Sequence, residues 1–295
     1  MLPHVKVVGP VLVCPGPGVS LRPMPDSAAV PHPPLRRRAT LSGLEKLKVS
    51  AVLIVKNGER HLDRVLSAVG FCDEILVLDS GSTDRTLEIC ATHNVRVEHQ
   101  PFLGYGPQKR RAVELAKHDW VLVIDDDEIL DYEAATTIQV LEYADSSRAW
   151  RIRRRNYIGD REIRFTHWTP DHSIRLFNRT QAGFTEALIH ESVEASGPVL
   201  TLQGSLHHYS YVDHGDVFVR CVTYARAKAV RYRDQGRRAS PVQLIFRACW
   251  GFLHSYVLKQ GFRDGIAGVV VAMSSALTAV LGLALAGQSE GDPPA

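Results

Sequence analysis

The sequence lacks paired cysteines. Five occur in 295 residues (Cys14, Cys72, Cys90, Cys221 and Cys249), an odd number, widely spaced and without a C-x-x-C pair. A disulfide framework or a thiolate zinc site is therefore not expected, and a reducing compartment fits better. An excess of charge of one sign is also lacking. The net charge of +3 is too small to suggest a nucleic-acid partner, which calls for a stronger basic bias. No internal repeat and no Gly-rich phosphate loop occurs. No secretory signal is visible either. The early apolar stretch from Val5 to Cys14 is broken by Pro10 and followed by more Pro and Gly, so the main domain is expected to stay in the cytosol.

What is present is ordinary for a globular protein: 45% apolar and 23% charged residues, enough for a sizeable core. The length suits one large domain with an appendage. Residues 1–44 are rich in Pro and Gly and contain the run Arg36-Arg37-Arg38. Such a composition cannot bury enough apolar surface to order itself and predicts a disordered tail.

From Val49 short apolar runs alternate with amphipathic segments. Strands are predicted at 49–55, 74–78, 95–97 and 120–124, and helices at 59–69, 83–91 and 107–117, the second capped by Ser82 or Thr83 and the third with Pro107 in its first turn. This alternation predicts an α/β fold: a Rossmann-like, mostly parallel sheet with helices on both faces. Further strands are expected at 150–153, 173–177 and 199–202. After Asp213 the pattern turns helical, with helices at 216–233, 242–260 and 263–286. The domain plan is thus a catalytic domain over 45–212 and a helical region over 213–295.

In such sheets ligands bind beyond the carboxyl ends of the strands. That rule selects Lys56-Asn57-Gly58-Glu59, Asp79 to Asp84, and Asp125-Asp126-Asp127-Glu128. Four consecutive acids repel one another, and a bound cation is the simplest reason to keep them together. Carboxylate oxygens suit Mg²⁺ or Mn²⁺, completed by substrate phosphates. The alternative is an acidic turn capping a helix that starts near Asp131. Asp79-Ser80-Gly81-Ser82 taken alone also suits an ordinary turn and N-cap.

Taken together, Val52–Asn57, Val77–Asp84 and Ile124–Glu128 resemble, in order and spacing, the three landmarks of family 2 glycosyltransferases with a GT-A fold. Gly104-Tyr105-Gly106-Pro107-Gln108-Lys109, Trp168-Thr169-Pro170-Asp171, Arg175-Leu176-Phe177 and His190-Glu191 narrow the resemblance to lipopolysaccharide core β-glycosyltransferases of the WaaE/KdtX type. The resemblance runs from about Lys48 to Ser275. It implies an inverting transfer from a nucleotide-sugar donor, UDP-linked, to a lipopolysaccharide core or related lipid-anchored glycan. It implies that Asp79 contacts the donor nucleobase, that Lys56 and Asn57 lie beside the donor with Ser82, and that Asp125 and Asp127 are the D-x-D acids at the metal and diphosphate. Asp126 stands where the subgroup often has Ala.

An attacking hydroxyl needs a carboxylate base; Glu191 is the first choice and Asp171 the second. His208 suits a metal or diphosphate contact and equally a packed histidine. Arg175 suits the diphosphate or an ion pair with an acid. Other classes are a polyprenyl-phosphate or peptide glycosyltransferase of the same fold, a nucleotidyltransferase, and a non-catalytic membrane scaffold.

Two basic clusters, Arg151 to Arg164 and Arg226 to Arg247, suit an anionic lipid surface, a phosphorylated glycolipid acceptor or a solvated face. Ile266 to Ala286 is free of charge and about as long as the ~20 residues that cross a bilayer. Its small, polar content favours peripheral attachment to the cytoplasmic side of the inner membrane over a single C-terminal span at 266–286.

Overall fold

The structure is a computed structural model that describes residues 48–185, 192–237 and 240–288. The described residues belong to the compact unit Leu35–Ala295. The tail expected over 1–44 lies outside them.

The first half alternates as anticipated: β1 (Val49–Val55), α1 (Leu62–Ala68), β2 (Glu74–Asp79), α2 (Thr86–Thr92), β3 (Arg96–His99), α3 (Tyr105–Leu115) and β4 (Trp120–Val123). Then come β5 (Glu128–Leu130), α4 (Tyr132–Val140), β6 (Ala149–Ile158), β7 (Arg161–Ile163), β8 (Asp171–Asn178), β9 (Ala182–Phe184), β10 (Val193–Ala195) and β11 (Val199–Tyr211). Among the described residues the main sheet has nine strands in the order β3-β2-β1-β4-β8-β6-β11-β5, with β7 on β6. From the pairings, β1, β2, β3, β4, β6 and β11 run one way and β5, β7 and β8 the other. The sheet is therefore mixed, with a parallel majority.

β1 explains the layering. Val49, Ala51, Leu53 and Val55 join a core with α1, α2 and α4, while Val52 joins a second core with α3 and Phe184. Successive side chains of a strand point to opposite faces, so a strand buried on both faces is an unbroken apolar run. Each fully buried Val, Leu or Ile contributes roughly 1.5–3 kcal/mol relative to exposure.

Several boundaries differ from the sequence expectation. The segment predicted to be a helix from 83 is a turn until Thr86, because Asp84 accepts from Thr86 N and Oγ1. α3 starts two residues before Pro107, behind Gly104 at φ 101°. β6 and β11 run well past the segments anticipated, and β5, β7, β9 and β10 are additional. These strands carry polar residues such as Asn156, His207 and His208, which conceal the alternation. β5 also overlaps the acidic run.

β11 is kinked where it passes α4. Its register on β6 shifts between Thr201 and Ser205, the mark of a β-bulge. Gly204 has φ 91°, and a Cβ there would collide with the backbone of Ala134 and with Asp131. Asp131 caps α4 by accepting from Ala134 N at 2.8 Å.

The helical region comprises α5 (His214–Asp234), α6 (Pro241–Leu253) continued by a π-helical turn (His254–Leu258), a 3₁₀ turn (Gly261–Asp264) and α7 (Ile266–Ala286). The last predicted helix is thus split at Gly265, which has φ 62°. α7 is long and apolar enough to cross a membrane by length and composition. One side of it packs inward, with Ala267, Val271, Ala272 and Leu283 buried. Cys221 of α5 lies 3.3 Å from Ser274 O and 2.9 Å from Thr278 Oγ1.

Gly204→Ala is expected to cost at least about 2 kcal/mol, through the left-handed backbone and the collision with α4. Urea denaturation with matched m-values checks this; an unchanged midpoint would refute the close approach.

Candidate active site

β1 is the strand at which the chain switches sides: β2 lies on one flank and β4 on the other. The ends of these three strands therefore converge, and their loops interlock. Asn57 N donates to Ser82 Oγ at 3.0 Å, and Thr83 N donates to Asn57 Oδ1 at 2.8 Å. Gly58 N donates to Thr86 Oγ1 at 2.9 Å. A Cβ on Gly58 would come within 2.7 Å of Asp126 Oδ2, so the β1 loop backs directly onto the acidic run. Asn57 itself adopts φ 56°, a left-handed conformation that Asn tolerates better than most residues.

Asp79 is buried, and its carboxylate faces its own loop. It accepts from Gly81 N at 2.9 Å, from Ser82 N and Oγ, and meets His99 Nδ1 at 3.1 Å. Burial opposes its ionisation, but the Ser82, Gly81 and His99 donors prevail and hold it below the usual carboxylate range. Lys56 is exposed beside this loop.

The acids after β4 divide into two kinds. Asp125 is gripped by cations: Lys109 Nζ lies 2.7 Å from Oδ1 and Arg175 Nη2 lies 2.9 Å from Oδ2. Burial works against its charge, yet Lys109 and Arg175 keep it well below the ordinary range. Arg175 also holds Glu128, which has no exposed surface, at 2.5 Å. Arg154 lies 3.5 Å from Glu128 and 3.0 Å from Asp171. Lys109, Asp125, Arg175, Glu128, Arg154 and Asp171 thus form one chain of alternating charge. Asn156 Nδ2 donates to the second oxygen of Asp171 at 3.2 Å.

Asp126 and Asp127 behave differently. Burial, then the charge of Asp125, pushes Asp126 up to about 7. Burial raises Asp127 to about 6; His208 opposes the shift, and Asp125, Glu128 and Asp126 add to it. His208 Nε2 lies 3.6 Å from Asp127 Oδ1. The histidine is placed by β11, whose antiparallel pairing sets His208 opposite Glu128 on β5. Asn156 Oδ1 at 2.7 Å from Nδ1 and Ser210 Oγ at 2.6 Å from Nε2 hold the ring.

A cleft of about 320 Å³ opens beside this pair, lined in part by Asn156, Asp171, His208, Trp168, Tyr211 and Tyr224. Trp168 and Tyr211 stack with centroids 4.9 Å apart and planes 9° from parallel.

Of the site residues expected from sequence, the structure brings Lys56, Asn57, Asp79 and Ser82 to one loop pair. It brings Asp125, Asp127, Asp171, Arg175 and His208 to the neighbouring network. Glu191 lies outside the described residues, as does His190. Arg175 pairs with acids rather than standing open to a diphosphate. Among the described residues no group of three or more His, Cys, Asp or Glu side chains is arranged to hold a metal. Asp125 has a cation on each oxygen, whereas Asp127 faces His208 at 3.6 Å and shares with it the chemistry a divalent ion needs. One carboxylate and one imidazole suit a cation whose remaining ligands come from a substrate diphosphate.

Lys109, Arg154 and Asn156 carry no site signal of their own in the sequence, and Glu128 stands out there only as the last acid of the run. Lys109 could have been found from its place in the Gly104–Lys109 segment. Arg154 was hidden in a basic cluster read as surface. That cluster is largely paired internally: Arg155 and Arg164 hold Glu162 at 2.7 and 2.9 Å.

With this geometry in place, comparison with known proteins is informative. A model of glycosyl transferase family 2 matches residues 50–187. An uncharacterized glycosyltransferase of Rickettsia typhi is 31% identical over 252 residues, which cover 80% of this chain and 86% of that one. The chain belongs to glycosyl transferase family 2. Its mixed sheet with helices on both faces is the GT-A arrangement. This family 2 chain is also similar to the lipopolysaccharide core biosynthesis glycosyltransferase LpsC of Rhizobium meliloti, with 29% identity covering 81% of this chain and 91% of the relative. Among solved structures it is similar to TarS of S. aureus, with a TM-score of 0.40 and 15% identity, covering 78% of this chain and 90% of that one.

Arg175→Met would leave Glu128 buried against a weaker partner. It is expected to cost about 3–5 kcal/mol. Arg175→Lys should recover only part: Nη2 alone reaches both carboxylates, and a more strongly hydrated ammonium is costlier to bury at that point than a guanidinium. Chemical denaturation of the two variants measures this, and equal stability of Met and wild type would refute the network's role.

Proposed function

We propose that this glycosyltransferase is an inverting, metal-dependent hexosyltransferase. It moves a sugar from a UDP-linked donor to a lipopolysaccharide core or related lipid-anchored glycan, while held peripherally on the cytoplasmic face of the inner membrane. Residues 45–212 form the catalytic domain and 213–295 the helical membrane-contacting region. The observation that carries the proposal is the Asp127–His208 pair, whose histidine lines a cleft and whose acid belongs to the run against which the β1 loop packs. The likeness to LpsC supports the acceptor class.

Asp127 and His208 would hold Mg²⁺ or Mn²⁺, which when bound supplies Lewis-acid stabilisation of the departing diphosphate. The chain's own residues do the rest. Asp79 shapes the loop that receives the nucleobase and fixes Ser82. Asn57 ties the β1 loop to that loop, and Lys56 faces the diphosphate as a point charge. Lys109 and Arg175 neutralise Asp125, so that the acidic run does not repel the donor. Asp171, with both oxygens held by Arg154 and Asn156, positions the acceptor side of the cleft. Glu191 is the general base that takes the proton from the attacking hydroxyl as the bond to the anomeric carbon forms on the face opposite UDP.

A thermal-shift screen of UDP and UDP-sugars with and without Mn²⁺ tests the donor site. The wild type should gain stability with UDP only when Mn²⁺ is present, and Asp127→Ala and His208→Ala should lose that gain while unfolding cooperatively. A metal-independent shift of equal size would overturn the metal role. Glu191→Gln should keep the UDP–Mn²⁺ shift and lose about 10²–10⁴-fold in turnover. Near-normal turnover in that variant, with loss in Asp171→Asn instead, would move the base to Asp171.

A further inference from the structure

α6 is built with its apolar side outward. No residue of the helix is buried. Its half-buried side, Leu244, Ala248, Gly251 and Phe252, lies against the protein, and Gly251 allows the close approach of α7 at Ala276. The opposite side carries Val242, Ile245, Phe246, Trp250 and Leu253, between 49% and 75% exposed. Their spacing of three and four residues places them on one face. A helix on a water-facing surface ordinarily shows polar residues there. The exposure continues along the chain at Leu258, Phe262 and Ile266. Scattered surface apolar residues are normal, but an aligned run of this kind marks a contact.

Charge identifies the contact. Between Asp234 and Glu290 the sequence has a single acid, Asp264. That acid is buried and accepts from Arg164 N at 3.2 Å and Phe165 N at 2.7 Å. Among the described residues the exposed charges of the same stretch are Arg237, Arg247, Lys259 and Arg263, all positive. A second copy seated on this face would set the same cations against each other with no acid to pair them. An anionic lipid surface satisfies both the apolar side chains and the cations, and Trp250 is the residue type that favours such an interface.

The geometry points to α6, rather than α7, as the membrane-docking element. It lies in the plane of an anionic bilayer with its outer face among the acyl chains. α7 supports it from within, through contacts to α5 and α6 that a spanning helix would give up. The inner side of the same segment reaches the cleft: Ser255, buried just beyond α6, lies 3.0 Å from Nδ1 of His167, a cleft residue. A bilayer on the outer side of α6 is therefore separated from the cleft by this helical segment. The inference rests on the proposed peripheral attachment and specifies its surface.

The test is co-sedimentation of the full chain with phosphatidylcholine vesicles with or without phosphatidylglycerol, alongside Phe246→Ser/Trp250→Ser and Arg247→Glu/Lys259→Glu. The wild type should pellet with the anionic vesicles, less so in high salt, with a blue shift of Trp fluorescence. The apolar double variant should bind more than about tenfold more weakly with an unchanged unfolding midpoint. The charge variant should lose the preference for phosphatidylglycerol. Absence of wild-type binding, or wild-type binding by the apolar variant, overturns the inference. So does a dimer that the apolar variant dissociates while vesicle binding persists. The UDP–Mn²⁺ thermal shift, read on the same preparations, separates the two proposals. Vesicle binding without that shift sinks the donor site alone; wild-type vesicle binding that the apolar variant retains sinks only the docking face, and the shift without any vesicle binding sinks the peripheral attachment together with it.

Discussion

The alternating charges from Lys109 to Asp171 are the constraint on which the site depends. Six ionisable side chains from α3, the β4 end, β5, β6 and β8 meet where the sheet changes from parallel to antiparallel pairing. Buried ion pairs add little net stability, because desolvation offsets their attraction. Their effect here is positional. Arg175 cannot serve Asp125 and Glu128 at once unless β4, β5 and β8 keep their register, so the acidic turn has one favoured shape. In that shape Asp125 is spent on the scaffold and Asp127 is left facing His208. Neighbouring acids of one type thus acquire different roles from their surroundings.

The second constraint is steric, at two glycines whose backbone is closely approached, by the Asp126 side chain at one and by the α4 backbone at the other. Gly58 lets the β1 loop press on Asp126, and Gly204 lets the β11 bulge press on α4. The first joins the loops beside Asp79 to the acids. The second sets the register by which β11 delivers His207 and His208 to the strand edge. Neither position leaves space for a side chain, so the two halves of the site are held by sterics as well as by charge.

The C-terminal helices pack on the sheet rather than standing apart from it. Asp264 receives two backbone amides from the segment after β7, and Ile158 and Ile163 share a core with Val217 and Val271. The cleft is walled by both parts, with Tyr224 of α5 facing Trp168 and Asp171.

The alternation of apolar runs and amphipathic segments from Val49 to Ile124 determined the parallel half of the fold by itself, because strands buried on both faces have no polar residues to conceal them. The same rule placed Lys56–Glu59, Asp79–Asp84 and Asp125–Glu128 at strand ends, where only chain order is needed. Tertiary structure alone decided the rest. Whether Asp125 or Asp127 faces His208 depends on Arg175 and Lys109, which are 50 and 16 residues away in sequence and reach Asp125 only through strand pairing and helix packing. Whether Arg154 lies on a surface or in the site depends on which face of β6 it occupies. Whether α6 or α7 carries the exposed apolar face depends on which helix the other two enclose. Charge and hydrophobicity are local properties, readable residue by residue; their partners are chosen by the path of the chain in space.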